Sequence, residues 1–188
     1  MSWLLVLVRL TGGASRHRVA VWRELRKAGG VPLAPGAWLV PDSAVFASAV
    51  ERAAELARRG DGDVIVLDVA ARDQASGDRL REAFAEVRLQ EWAEFEADCE
   101  KFEAEIAKEI RIEKYTLAEL DEEEQSLDRL RRWYRDLKAR DVLELPEAAA
   151  AEQRLKACTE LLDDYADRVY RVLHGRPAAG GSAEGSDE

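Results

Sequence analysis

The sequence predicts an α+β fold: a small strand-and-helix unit followed by a run of helices. Three observations predict it. Over the first seventy or so residues, short apolar runs bounded by Gly, Pro and Asp alternate with helix-length stretches. From about Ser76 onward, apolar residues recur at three- and four-residue steps. The 188 residues are 47% hydrophobic, enough for a buried core.

Each element has a local cause. Residues 3–9, WLLVLVR, are apolar and β-prone, and Gly12-Gly13 ends that strand. Ser15 is a helix N-cap, and the helix runs to about Ala28, where Gly29-Gly30 stops it. A hairpin follows, with strands near 31–34 and 37–40 around the turn Pro35-Gly36. Pro41 ends it, and Asp42 or Ser43 caps a helix over about 43–59, closed by Arg58-Arg59-Gly60. DVIVLDVA, residues 63–70, is the last strand. The order β-α-β-β-α-β is that of a ferredoxin-like split unit. Odd and even residues of the first strand are both apolar, so both its faces are expected to be covered, one by a second chain or by the C-terminal helices.

The helical part divides into three. Leu80, Phe84, Val87, Trp92, Phe95, Cys99, Phe102 and Ile106 form the stripe of the first helix. Leu120, Leu127, Leu130, Tyr134 and Leu137 form a heptad-like, coiled-coil seam on a second, from Leu117 to about Val142, with a capping box at Thr116 and Glu119. Pro146 opens a third, with Leu155, Cys158, Leu162, Tyr165 and Val169 inward. The expected organisation is a ferredoxin-like domain over 1–72, a helical hairpin or three-helix extension over 73–174, and a disordered acidic tail over 175–188.

Catalytic patterns are missing. His17 and His174 fall in no metal-ligand spacing, no nucleophile motif is present, and TGGAS lacks the Lys-Ser/Thr of a phosphate loop. The expectation is a protein that is not an enzyme and needs no metal or cofactor. Most glutamates of 91–113 and 119–124 fall off the apolar stripe and read as a solvated face with partners such as Glu105–Lys108 and Glu109–Lys114. Cys99 and Cys158 sit at apolar positions as buried thiols. No run is long enough to span a bilayer and no leader is visible, so a reducing cytoplasm is expected.

Charge is the informative feature. Residues 1–90 carry +2 (13 Lys/Arg against 11 Asp/Glu) and residues 91–188 carry −12 (15 against 27). Within the first half, SRHRVAVWRELRK holds five cations and one acid. At 100° per residue Arg16, Arg23 and Lys27 share one azimuth with Arg26 beside it, opposite Val21, Trp22, Leu25 and Ala28. Arg18 falls on the apolar side and needs a partner, for which Asp68 is available, or a place at the rim of the sheet. The stripe suits phosphates; it equally suits pairing within the chain or with another subunit, or a small-anion pocket. A second basic spot, RLRRWYRDLKAR, places Arg131, Arg132, Arg135 and Lys138 around Trp133; it can stack on bases or pair with the glutamate-rich helix.

Three stretches carry a resemblance: RVAVWRELRKAGGVPLAPGAWLVP, EIRIEKYTLAELDEEEQSLDRLRRWYRDLKARDV and AEQRLKACTELLDDYADRVY. Together they resemble the N-terminal region of ChrB-type chromate resistance proteins over about residues 1–172. The first part is also similar, in fold more than in residues, to PaaX-type repressors and CRISPR adaptation nucleases. The ChrB resemblance implies a chromate-responsive transcriptional regulator of an efflux operon, with operon promoter DNA as partner and chromate as effector. The doubly apolar first strand, which a second chain could cover, adds the expectation of a homodimer. It implies no catalytic residue. Its matching positions, Arg16, Arg18, Trp22, Arg23 and Gly29, then Arg131, Arg132, Trp133, Tyr134 and Arg135, are candidates for DNA or anion contact by their chemistry. Family members continue into a chromate-resistance domain, which here would be a separate partner. The alternative function is a non-catalytic interaction protein that partners such a domain.

Overall fold

The structure, a computed structural model, describes residues 2–10 and 15–175. The expected Gly12-Gly13 break, the rest of residues 11–14 and the expected tail beyond Gly175 lie outside the described residues. The fold is α+β. The elements are β1 (Trp3–Leu10), α1 (Ser15–Ala28), β2 (Val31–Ala34), β3 (Ala37–Pro41), α2 (Ala44–Arg58), β4 (Gly62–Val69), α3 (Gln74–Arg111), α4 (Leu117–Arg140) and α5 (Pro146–His174). They form two compact units: Met1–Ala93 with Arg135–Ala148, and Glu94–Tyr134 with Ala149–Glu188.

The first unit holds the sheet, in the order β2-β3-β1-β4 with every neighbouring pair antiparallel. Gly36, at φ 78°, makes the hairpin turn after Pro35, and its carbonyl accepts from Val8 N at 2.7 Å. Val8, Leu10 and Trp38 line one pocket together with Val21 and Trp22, so α1 lies on that face of the sheet. Val6, Trp38, Leu25, Phe46 and Phe84 are buried in one core, Phe84 coming from the start of α3. Asp73 caps α3, accepting from Ser76 N at 2.7 Å.

The other face of β1 is less covered than its composition predicts. Leu5 and Leu7 are half-buried, and their register partners across the strand gap, Leu67 and Ile65 of β4, are exposed. Apolar residues on both faces of a strand show that both faces tolerate burial; they do not say that both are buried in one chain.

The second unit is helical. Phe95, Cys99, Ile106, Leu127, Cys158 and Tyr165 are buried in it. Tyr165 Oη donates to the Lys114 carbonyl at 2.6 Å, satisfying a group in the α3–α4 connection that no helix can satisfy. Thr116 Oγ1 accepts from Glu119 N at 3.3 Å, as its capping spacing predicts.

Candidate nucleic-acid interface

The basic residues of α1 are exposed. Its one acid, Glu24, is taken by Arg52 of α2 at 2.5 Å. Among the described residues, Arg16, Arg18, Arg23, Arg26 and Lys27 form no ion pair; Arg16 Nε donates to His17 Nε2 at 3.2 Å. Arg18 is exposed at the mouth of a cavity of about 320 Å³, which Trp22, Trp38, Val8 and Leu10 also line. A neighbouring hollow of about 260 Å³ shares the two tryptophans and Pro35 and adds Pro32, Leu33 and Ala34. Trp22 is 45% exposed, and the Arg26 guanidinium lies 5.1 Å from its ring centroid.

The pairing of Arg18 with Asp68 does not occur. Asp68 lies opposite Leu4, whereas Arg18 sits by Val8 and Leu10. Four strand positions separate Leu4 from Val8, about 13 Å. Arg18 takes the rim position instead, where water solvates it.

The end of α1 is fixed from within the same unit. Gly29 adopts φ 95°, and Gly30 N reaches back to the Leu25 carbonyl at 2.9 Å in a Schellman closure. Two arginines complete it. Arg88 Nη1 donates to the Gly29 carbonyl at 3.0 Å and Arg140 Nη1 to the Lys27 carbonyl at 2.7 Å. Cations at these carbonyls also oppose the negative end of the helix dipole. Glu91 pairs with both, at 3.1 Å from Arg88 and 3.7 Å from Arg140. Arg88 is 1% exposed, and burial pushes its guanidinium down to about 10, so it stays charged at neutral pH. A Cβ at Gly29 would collide with this guanidinium. Sequence reasoning missed Arg88, although its place between Phe84 and Trp92 at four-residue steps sets it on the apolar stripe.

The second basic spot is organised differently. Arg131 pairs with Asp128 at 3.3 Å and lies 3.5 Å from Thr159 Oγ1. Arg132 and Arg135 are exposed and form no ion pair among the described residues. Trp133 is half-buried, packed edge-on against Phe95 at 5.6 Å between centroids, so its ring is not presented to solvent as Trp22 is. Arg131 and Arg132 belong to the second unit and α1 to the first.

The two cysteines meet in the core of the second unit. Cys99 and Cys158 are both fully buried; Cys158 Sγ lies 3.9 Å from the Cys99 carbonyl and 3.8 Å from Glu103 Oε1. The hydrogen bond between the two thiols, together with burial, pushes Cys99 up, so it stays protonated. An aromatic disulfide reagent should therefore release no thiol from the native protein within minutes and two thiols after guanidinium unfolding. Rapid release of one equivalent from the native protein would put a thiol in reach of solvent. No group of three or more His, Cys, Asp and Glu able to hold a metal occurs among the described residues, and no helix among them is long and apolar enough to cross a membrane.

Comparison with known proteins adds a family. The family model described as Protein ChrB, N-terminal, matches residues 18–176. Protein ChrB of Cupriavidus metallidurans (strain ATCC 43123 / DSM 2839 / NBRC 102507 / CH34) is 33% identical over 94 residues, which is 50% of this chain and 28% of that relative. The aligned part thus spans less than a third of the relative's length.

Proposed function

The chain belongs to the ChrB N-terminal family, and on that premise we propose that it is a chromate-resistance regulator that holds operon promoter DNA through α1. One observation carries the reading: a helix whose five cations form no ion pair among the described residues, in a chain of net charge −10. Exposed cations along one helix are what phosphates recognise, and Arg26 stacked on an exposed Trp22 adds a flat, cationic platform beside them. The ferredoxin-like reading of the first unit belongs to the same proposal. Its support is the succession β1-α1-β2-β3-α2-β4, with β3 lying between the two strands that α1 joins. In this reading the protein is cytoplasmic, non-catalytic and a homodimer that meets two half-sites, with chromate as effector.

Fluorescence anisotropy with DNA from its own operon tests the reading, at several salt concentrations and with and without chromate. The triple variant Arg16→Ala, Arg23→Ala, Lys27→Ala should bind more weakly. Its log–log salt slope should fall by up to about 3, roughly 0.9 per lost phosphate contact. An unchanged affinity and slope would remove α1 from the interface.

A second reading has its own observation. Leu67 and Ile65 are exposed beside Leu5 and Leu7, on an edge strand. That apolar strip fits an interaction protein that partners a separate chromate-resistance domain. Co-purification of such a domain with no specific DNA binding would favour it.

A further inference from the structure

In the second unit α3 and α4 enclose a cleft of about 800 Å³. Its charged lining is six carboxylates against four cations. Three of the four cations are already in short ion pairs. Lys101 pairs with Asp98 at 2.6 Å, Lys108 with Glu105 at 2.5 Å and Lys114 with Glu119 at 2.5 Å, while Arg129 donates to Ser126 Oγ at 2.9 Å.

Two buried carboxylates remain, one loosely paired and one unpaired. Glu109 is 1% exposed and forms only long ion pairs, with Lys108 at 3.5 Å and, as its spacing predicts, with Lys114 at 3.8 Å. No donor reaches its Oε2. Glu123 is 5% exposed, and among the described residues it has neither an ion pair nor a hydrogen bond. Burial, then the surrounding Glu105, Glu122, Glu109 and Glu119, push its carboxyl up to about 7. Buried carboxylates are found paired or ligated, and an unpaired one facing a cleft calls for a cation. Both sit on apolar stripes of their helices, Glu109 three residues after Ile106 and Glu123 four before Leu127, so they point inward with the core.

We infer that this cleft binds a small organic cation, an amine or guanidinium on an apolar stem, its head held by Glu109 and Glu123 and its stem against Phe102, Leu130 and Trp133. A bare metal ion fits less well, since no set of three acids converges among the described residues. The aromatic and aliphatic wall suits a methylene stem, as it would the side chain of Lys or Arg. The site is independent of the DNA reading, because none of its lining residues lies on α1.

Calorimetric titration of the full chain tests it, with 1,5-diaminopentane and agmatine as free cations, a blocked arginine amide as the side-chain form, and magnesium chloride as the metal control. The expected result is saturable binding of one free cation per chain, weakened at least tenfold in Glu109→Gln and Glu123→Gln and unchanged in Glu152→Gln on exposed α5. Circular dichroism of both cleft variants should match the parent, since each replaces a buried carboxyl by an isosteric amide. Saturation by the blocked arginine alone would keep the chemistry and assign the occupant to a protein side chain. No saturable binding, tighter binding of magnesium, or equal weakening in Glu152→Gln would overturn the inference.

Discussion

Arg88→Ala should destabilise the first unit by about 3–5 kcal/mol, the loss typical when one partner of a buried ion pair is removed. The substitution takes away the donor to the Gly29 carbonyl, leaves Glu91 with the more distant Arg140, and empties the space over Phe84. At roughly 4–8 °C per kcal/mol for a unit of this size, thermal melts should fall by more than about 12 °C. Arg88→Lys should recover little. A single ammonium cannot serve the Gly29 carbonyl and Glu91 together as a planar guanidinium does. Arg140→Ala should cost less, because that side chain keeps 13% of its surface in solvent. A melting point for Arg88→Ala within a few degrees of the parent would show that the end of α1 is held by its glycines and Arg140 without Arg88.

Phe84→Ala should cost about 3–5 kcal/mol as well, through a cavity rather than a charge. The ring is fully buried, edge-on to Trp3 at 5.3 Å and to Phe46 at 6.3 Å, so it joins α3 to both β1 and α2. The Arg88 guanidinium lies 4.9 Å from its centroid. The two substitutions share this contact, and the double variant should lose less than their sum. Strict additivity in denaturant melts would mean that the guanidinium and the ring do not support each other. Against a total stability of about 5–15 kcal/mol for a domain, either change alone is severe.

The succession of elements was legible because most boundaries have a local cause, although Ser43, at the N-cap of α2, makes no capping bond with its hydroxyl. Gly29-Gly30 ends α1 by a backbone conformation that glycine supplies, and Thr116 caps α4 by its own hydroxyl. The exposed cations of α1 were legible for the same reason: a helical azimuth depends only on residue spacing. The failures share a different cause. Arg88, Glu109 and Glu123 all lie at stripe spacing, but a search for apolar periodicity passes over charged residues. Like Arg18, all three are charges at apolar spacing, and each such charge needs a partner or a rim position. Asp68 was misjudged as a partner because register along a strand is not visible until the strands are paired. The exposed Leu67 and Ile65 were missed because hydrophobicity gives the tendency to be covered, not what does the covering.

The two arginines that hold α1 also set a timetable. Arg140 lies 113 residues after the Lys27 carbonyl it caps, and Arg88 lies 59 after Gly29. At a synthesis rate of about 5–20 residues per second, roughly 6–23 s pass between the making of α1 and the arrival of its last clamp. The cationic helix therefore leaves the ribosome well before the residues that pin its end. A nascent chain halted soon after β4 would carry the whole sheet and neither clamp.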